Sequence, residues 1–355
     1  MSSGATKRNL FVRSWPFLLV LCLAALFAAE RLLIPRPLNP FQARREMMDT
    51  WVSITVYDED EAHAAAALEA AFVRMQEVVE IASTFDPEAE AARLNEQGRL
   101  DDASPELIEM LTEARRFSDV SDGTFDVTIE PLLALWRFDP QADAQFWELD
   151  TAAQRVAIDE AKALVGSDRI VLGPGARVEL LPGTQVTLGG IAKGYVVDQG
   201  LQALRDAGIE HALIDAGGDI GVYGGKPGGA AWEISLRHPE DEAPALATFE
   251  LFEGAIATSG NYLRYFDPEA QVGHIMDPRT GQSAFLSSSA TVIAGTCTEA
   301  DALATAVFVL GPVEGLGMVE GLEGVEAMVL DHDDPTEIAR SEHLDRYEIR
   351  KKDGT

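Results

Sequence analysis

Several short stretches of the sequence combine glycine with lysine, carboxylate, hydroxyl or histidine side chains that could act on a phosphate. Residues 188–195 (LGGIAKGY) place paired glycines before a predicted helix that carries Lys193. Glycines let a backbone approach a phosphate closely, and the free N–H groups at a helix start attract anions. The stretch matches neither GxGxxG nor GxxxxGK[ST], so a structural glycine turn explains it equally well when it is taken alone.

A carboxylate and a hydroxyl lie four residues apart in residues 299–305 (EADALAT), which open another predicted helix. Asp301 and Thr305 therefore share one helix face. Their oxygens suit a hard cation such as Mg²⁺, which takes few protein ligands and completes its shell with phosphate and water. The alternative is a helix-start Asp favoured by the helix dipole, with a Thr that packs in the core.

Four further stretches contain turn-forming or proton-accepting residues. Residues 215–219 (DAGGD) place two glycines between carboxylates, where a plain turn is the simpler interpretation. His274, in residues 273–281 (GHIMDPRTG), could be a general base or a phosphate contact, although a lone histidine before a turn is more often structural. Residues 121–126 (SDGTFD) and 257–262 (ATSGNY) could seat a ring system and its hydrogen bonds.

The charge balance limits the partners of the protein. The chain has 355 residues, and its 28 Lys and Arg against 59 Asp and Glu give a net charge of −31. Such a surface repels nucleic acid, so we expect no DNA or RNA partner. The two cysteines, Cys22 and Cys297, are too few for a cysteine zinc site. Because Cys22 lies in an apolar N-terminal segment, we expect no disulfide between them.

The N-terminus has the pattern of a targeting or anchoring segment. Lys7, Arg8 and Arg13 precede the apolar run 15–29 (WPFLLVLCLAALFAA), and a Pro-rich stretch, IPRPLNP, follows it. A basic flank before an apolar run is typical of a signal peptide or signal anchor. We favour an anchor that is not cleaved, because Leu26 and Phe27 suit a cleavage site poorly; the alternative is a buried N-terminal helix.

The remaining chain predicts one α+β domain. We assign residues 1–45 to the anchor and linker, 46–335 to the folded domain, and 336–355 to a polar tail. Helices and strands alternate without clean βαβ units, which argues against a doubly wound sheet. Residues 125–131 (FDVTIEP) predict a short strand or turn. Periodicity predicts helices at 61–83, 104–118, 189–206, 298–311 and 313–320, and strands at 48–57, 169–172, 177–181, 212–214, 221–223, 232–237, 255–258 and 326–330.

Taken together and in order, these stretches resemble the FAD:protein FMN transferase family, also called the ApbE family. The resemblance covers about residues 46–330 and implies mixed antiparallel sheets with packed helices. It rests on an ordered set of segments: MDT, ASTFDPEAEAARLN, SDGTFDVTIEPLLALWRF, LGGIAKGYVVD, DAGGDI, TSGNY, HIMDPRTG and ADALATAVFVLG.

The resemblance also implies which residues form the site. The backbone carbonyl near Gly190 and the side chains of Asp301 and Thr305 match the family's Mg²⁺ site. His274 matches a histidine near the diphosphate that could help to deprotonate the acceptor hydroxyl. The positions that line the FAD site are matched by Met48, Phe85, Thr124, Phe125, Asp126, Thr187, Lys193 and Ile275.

At six positions the sequence departs from the residues common in the family, and one of these, Gly190 for another small residue, is harmless if only its carbonyl binds the metal. Thr187 stands where many members have Asp, which weakens one expected hydrogen bond to FAD, and Ala304 stands where some members offer another metal carboxylate. The other departures are Asp49 for Gly, Ala89 for Ser and Asn261 for Asp. None of them removes Asp301, Thr305 or His274, so we expect activity to be retained.

The implied activity is a Mg²⁺-dependent transferase that moves FMN from FAD to a Thr or Ser hydroxyl of a target flavoprotein and releases AMP. With the N-terminal anchor, the expected location is the bacterial inner membrane, with the catalytic domain facing the periplasm. The expected acceptors are flavoprotein subunits of membrane redox complexes. Three alternatives stay open: an FAD pyrophosphatase, a non-catalytic protein that binds or delivers FAD, and a silent assembly factor.

Overall fold

The computed structural model describes residues 37–142, 144–237, 245–261, 265–267, 272–334 and 336–349. The apolar run 15–29, which we predict to be a membrane anchor, lies outside these residues. Among the described residues, one helix is long and apolar enough to cross a membrane, Cys297–Val319, and most of it is buried in the core.

Seven α-helices occur in the described part of the chain, and local sequence explains where they begin. The first starts where the Asp60 carboxylate accepts hydrogen bonds from the N–H groups of Ala62 and His63. The third starts with Pro105 after the capping hydroxyl of Ser104. The helices are α1 Glu61–Ala82, α2 Glu90–Gln97, α3 Pro105–Val120, α4 Glu130–Trp136, α5 Thr151–Lys162, α6 Ala192–Asp206 and α7 Cys297–Val319. Short 3₁₀ helices cover Val127–Ile129, Phe146–Glu148, Ser167–Arg169 and Leu344–Arg346.

The strands of the described residues form one large sheet and several small ones. In chain order they are β1 Asn39–Met47, β2 Thr50–Asp58, β3 Arg99–Leu100, β4 Ile170–Leu172, β5 Val178–Leu180, β6 His211–Ala216, β7 Ile220–Tyr223, β8 Trp232–Leu236, β9 Ala247–Leu251, β10 Gly254–Gly260, β11 Tyr265–Asp267, β12 Val272–Gly273, β13 Met276–Asp277, β14 Gln282–Ser283, β15 Ser287–Ala294, β16 Glu326–Asp331 and β17 Ile338–Arg340. The large sheet has the order β1-β2-β6-β7-β10-β15-β16-β17. Every pairing in it from β2 to β17 is antiparallel.

Both faces of the large sheet are covered, and the strand residues alternate between two apolar clusters. Ala257 and Val329 belong to the cluster that contains helices α1, α6 and α7. Their neighbours Ile256 and Met328 belong to the second cluster, which the β8–β9 hairpin covers with Trp232 and other side chains. The period of two thus matches a sheet between two layers. The small alanines of the helix face let α7 lie close to β10, β15 and β16.

The fold confirms the predicted α+β class with antiparallel sheets. Residues 125–131, predicted to be a short strand or turn, form a 3₁₀ turn that leads directly into helix α4. The Asp126 carboxylate caps this turn by accepting from the Thr128 N–H, and Pro131 is tolerated in the first turn of a helix. Strand β15 is missed by the sequence, because its serine-rich start hides a buried strand.

Both predicted domain boundaries differ from the ordered elements. Strand β1 begins at Asn39, inside the segment 1–45 that the sequence assigns to anchor and linker. The Arg45 guanidinium lies 4.6 Å from the centre of the Phe72 ring, so this charged residue packs against the core side of the strand. Its charge hides the strand from a sequence-based prediction. Strand β17 and the buried Leu344 lie inside the segment 336–355 assigned to a polar tail.

Candidate active site

Helix α6 begins without a side-chain cap of its own, directly after the paired glycines. The residue before it, Ile191, offers no side-chain acceptor to the first-turn N–H groups. One of these groups, the Gly194 N–H, donates instead to Asp301 Oδ2 of helix α7 at 3.0 Å. A buried carboxylate from another helix therefore occupies the positive end of the α6 dipole.

Helix α6 caps helix α7 in return. Asp198 accepts hydrogen bonds from the backbone N–H of Cys297 at 2.9 Å and of Thr298 at 2.8 Å, and from the Thr298 hydroxyl at 2.6 Å. The two helix starts approach so closely that a Cβ on Gly194 would collide with the carbonyl of Cys297. This reciprocal capping fixes the position of Asp301 beside the start of α6.

Thr305 lies one turn further along the same face of α7. It is the one residue between Ala300 and Leu310 that is not fully buried. Its hydroxyl lies 3.3 Å from the Ser259 hydroxyl of strand β10. A Cβ on Gly190 would come within 3.3 Å of the Thr305 hydroxyl, so the glycine backbone lies directly against it. The structure thus brings together the three residues that the sequence assigns to a metal.

The charges at this place are unbalanced. Lys193 forms an ion pair with Asp219, whose side chain is 2% exposed. Asp301 is also buried, and neither ion pairs nor hydrogen bonds from cationic side chains reach it from the described residues. Burial, together with the nearby Asp219 carboxylate, raises the pKa of Asp301 to about 7. Burial lowers the pKa of Lys193, but the Asp219 and Asp301 carboxylates outweigh it and the net shift is upward.

A magnesium ion fits these residues. An ionised Asp301 has no ion pair with a cationic side chain of the described residues, and a carboxylate, a hydroxyl and a carbonyl are the hard oxygen ligands that Mg²⁺ prefers. Among the described residues, no group of three or more His, Cys, Asp or Glu side chains could hold a metal alone. A cation here would therefore depend on substrate phosphate and water to complete its shell, as Mg²⁺ commonly does.

The predicted FAD residues Thr124 and Asp126 direct their side chains into their own loop. The Thr124 hydroxyl donates to the Ser121 carbonyl at 2.9 Å. Asp126 accepts from the Thr128 N–H at 2.8 Å and from the Thr128 hydroxyl at 2.6 Å. Both residues are buried. These side chains hold the loop in shape, so the loop can offer a ligand mainly its backbone groups.

Phe125 and Thr187 connect that loop to the glycine turn. The Phe125 ring is buried, and its edge would lie 3.2 Å from a Cβ on Gly190. Thr187 donates its N–H to the Val127 carbonyl at 2.7 Å. Its hydroxyl lies within 3.8 Å of the Cβ position of Gly189, so Phe125 and Thr187 flank the turn before α6.

Met48 reaches the site region through a tight turn between β1 and β2. Met48 and Asp49 have φ angles of 53° and 56°. This left-handed conformation suits glycine best, and Asp tolerates it better than most residues. The adjacent Thr50 hydroxyl packs against Gly217, which places Met48 near the turn that carries Asp219.

His274 and Ile275 lie between strands β12 and β13, in a segment braced by its neighbours. His274 is half-buried and Ile275 is buried. The Ile275 carbonyl accepts from the Ala284 N–H at 2.9 Å, and the Asn261 amide donates to the Ala284 carbonyl at 3.1 Å. The Asn261 side chain also fills the space beside Gly273, where a Cβ would meet it at 2.6 Å.

Phe85 stands apart from these residues. It is 85% exposed, in a loop where the Ser83 hydroxyl accepts from the N–H groups of Phe85 and Asp86. No ring contact in the described part of the chain joins Phe85 to α6 or α7. Four residues later, Ala89 precedes helix α2 and has no side chain that could cap it.

Sequence reasoning missed three residues of this arrangement. Asp219 was interpreted only as part of a glycine turn. Asp198 is the last residue of LGGIAKGYVVD and Ser259 belongs to TSGNY, but neither was assigned a role. One signal was available for Asp198, because it follows Gly194 by four residues and therefore lies on the same helix face. The pairing of Asp219 with Lys193 has no local signal.

The ApbE family model matches residues 48–329, which is most of the described chain. A FAD:protein FMN transferase from Vibrio cholerae is 30% identical over 265 residues, which cover 73% of this chain and 78% of that relative. A FAD:protein FMN transferase from Treponema pallidum is 30% identical over 305 residues, which cover 80% of this chain and 82% of that relative.

Solved structures agree with the sequence relatives. The ApbE protein from Thermotoga maritima has a TM-score of 0.76 at 29% identity, over 88% of this chain and 100% of that chain. The flavin transferase ApbE from Vibrio cholerae has a TM-score of 0.73 at 26% identity, over 88% of this chain and 100% of that chain. The family match and these relatives show that the chain belongs to the ApbE family.

Proposed function

We propose that the protein transfers FMN from FAD to a Ser or Thr hydroxyl of a target flavoprotein and releases AMP, with the help of Mg²⁺. The observation that carries the proposal is the placement of Asp301 and Thr305 beside the glycine-rich start of helix α6. Relatives named FAD:protein FMN transferase supply the reaction class. The local geometry supplies a place for the diphosphate of FAD.

Asp301, Thr305 and the carbonyl of Gly190 would hold the Mg²⁺. The bound ion would offset negative charge on the diphosphate and on the leaving AMP. The start of α6 and the Lys193 ammonium add positive potential on the same side. Together these groups favour attack at phosphorus.

His274 is the residue we assign to proton transfer. The acceptor hydroxyl oxygen would bond to the phosphorus of the FMN half while the bond from that phosphorus to the bridging oxygen breaks. The hydroxyl proton would pass to His274, and AMP would leave with the bridging oxygen. Because the strands around His274 are braced by Asn261 and Ala284, the imidazole is held on a fixed segment.

We further propose that FAD is bound by the turn residues Met48, Thr187 and Ile275 with Phe85 and the loop 124–126, and that the apolar run 15–29 anchors the chain in a bacterial inner membrane. The site would then face the periplasm, where flavoprotein subunits of membrane redox complexes are the expected acceptors. The basic flank before the apolar run supports this orientation.

The test uses the full-length chain in membranes, FAD, Mg²⁺ and a purified candidate acceptor subunit. Flavin fluorescence of the denatured acceptor in a gel reports covalent transfer. The expected result is a fluorescent band that needs Mg²⁺ and is lost when the acceptor's target Ser or Thr is changed to Ala. FMN and AMP in solution without any band on several acceptors would favour a pyrophosphatase, and intact FAD would favour a binding protein.

A further inference from the structure

A buried ion pair lies next to the candidate metal site. Asp219 ends the β6–β7 turn and is 1% exposed. Its carboxylate binds the Lys193 ammonium and also accepts from the backbone N–H of Thr258. The Lys193 side chain itself is 34% exposed, so its ammonium lies at the edge of the site rather than deep in the core.

The same lysine directly precedes the residue whose backbone binds Asp301. The residue after it, Gly194, donates its N–H to Asp301 Oδ2 at 3.0 Å. The Lys193 ammonium also interacts electrostatically with the Asp301 carboxylate. Lysine has a flexible four-carbon side chain with three rotatable donors, so its ammonium can exchange one carboxylate partner for another nearby.

We propose that Asp219 is a positioning residue that holds Lys193 away from Asp301 and thereby reserves the Asp301 carboxylate for the metal ion. One ammonium faces two buried carboxylates, Asp219 and Asp301. If the ammonium bound Asp301, it would neutralise the carboxylate and compete with the cation for it. In the structure the ammonium pairs with Asp219, and a second hydrogen bond from the Thr258 N–H holds that carboxylate in place.

This inference rests on the metal site of the proposed function, and it predicts a coupling between two substitutions. Asp219→Asn keeps the shape and the oxygen that accepts from Thr258, but it releases Lys193. With Lys193 present, we expect Asp219→Asn to weaken metal binding about tenfold or more. In a Lys193→Gln background, where no ammonium can move to Asp301, the same change should weaken binding less than about threefold.

The experiment measures Mn²⁺ binding by electron paramagnetic resonance, and Mg²⁺ by competition, on the full-length chain saturated with FAD, because the cation needs the diphosphate to complete its shell. The four proteins of the cycle are wild type, Asp219→Asn, Lys193→Gln and the double variant. Asp215→Asn is the matched control, because Asp215 is a carboxylate near the end of strand β6 that binds the Gly218 N–H and not Lys193. We expect its metal affinity to equal that of wild type.

The outcomes separate this inference from the metal site itself. If wild type binds an ion that Asp301→Ala abolishes, and Asp219→Asn weakens binding equally in both backgrounds, Asp219 acts only through its own charge or through the fold and the inference is wrong. If wild type binds no such ion, the metal site is absent and both proposals fall. Thermal unfolding of each variant identifies any that have lost the fold, and in that case Asp219→Ser in both backgrounds replaces Asp219→Asn.

Discussion

The candidate site has two sides that are built differently. On the helix side, Lys193, Asp301 and Thr305 come from two long helices that cap each other, and their polar atoms point between elements. On the loop side, Thr124 and Asp126 come from turns and use their polar atoms to hold those turns. The helix side therefore presents side chains to a ligand, whereas the loop side presents mostly backbone and rings.

This difference predicts different responses to substitution. On the helix side, a small change of side chain alters both the charge at the site and the contact between α6 and α7. On the loop side, a change at an exposed residue alters binding alone, and a change at a buried one alters the loop. Substitutions on the helix side should therefore change activity and stability together, whereas those on the loop side should change either FAD affinity or stability.

The largest effect is expected for Asp301→Ala. It removes the only carboxylate in the described residues that we assign to the metal, and with it several kcal/mol of charge stabilisation. Transfer at saturating FAD and Mg²⁺ should fall by at least about 100-fold. The measurement is the initial rate of flavin incorporation into the acceptor. Asp277→Asn, at the last residue of β13, serves as a control. A transfer rate near that of wild type in Asp301→Ala would exclude Asp301 from the metal site.

Gly194→Ala should have the next largest effect, and Gly190→Ala is the variant to compare with it. A Cβ on Gly194 meets backbone of Cys297 that cannot move without separating the two helix starts. We expect a loss of about 1–3 kcal/mol in the free energy of unfolding together with loss of transfer. A Cβ on Gly190 meets side-chain atoms of Phe125 and Thr305 at 3.2 and 3.3 Å, which can shift.

Gly190→Ala should therefore keep most of its stability and lose activity more mildly. The measurements are chemical denaturation, which gives the free energy of unfolding, and the transfer rate of both variants. Equal stability of the two variants would mean that the close approach of α6 and α7 is not what fixes Asp301.

The sequence predicts the helix side well because its signals are local. The spacing of Asp301 and Thr305 on one helix face and the glycine pair before α6 need only a few residues to be recognised. The partners of these residues are not local: Lys193 pairs with Asp219 across 26 positions, and Asp198 caps a residue 100 positions away. No periodicity within one element carries that information.

On the loop side, the sequence locates the residues but not the use of their side chains. It places Asp126 in a loop that could bind a ring system, whereas the structure shows its carboxylate occupied by Thr128. The failure at strand β15 has the same cause. Ser287 and Ser289 are buried in the sheet although three successive serines indicate a loop, because tertiary packing overrides local preference there.

Phe85→Ala should affect FAD binding without affecting the fold. The ring is 85% exposed, so its removal should change the free energy of unfolding by less than about 0.5 kcal/mol. If the ring stacks on FAD, the KM for FAD should rise about three- to tenfold, with kcat nearly unchanged. Val313→Ala, at a similarly exposed apolar residue, is the control. An unchanged KM would place Phe85 outside the FAD site.

The smallest expected effect lies at the C-terminal end of helix α6. There, the His63 side chain connects Asp58 to the end of the helix, and we call this pair of contacts the His63 clamp. Its removal tests whether α6 is held only at the end that faces the metal site. His63 Nδ1 lies 2.6 Å from Asp58 Oδ2, and its Nε2 lies 2.8 Å from the Ala207 carbonyl. A carbonyl can only accept, so both ring nitrogens donate when the imidazole is protonated. The hydrogen bond to Asp58, and then that to Ala207, raise the pKa of His63.

The sign of the pH effect follows from that shift. A raised folded-state pKa means that the clamp stabilises the protein fully below the unfolded pKa of about 6.5, and that this contribution is lost as pH rises through the higher folded value. Because His63 is half-exposed, the contribution should stay below about 1 kcal/mol. The unfolding midpoint of wild type minus that of His63→Gln should therefore decline above neutral pH. Asp58→Asn should abolish the decline. A difference that instead grows with pH would show that the imidazole is bound in its neutral form. This end of α6 would then be held by hydrogen bonds without charge.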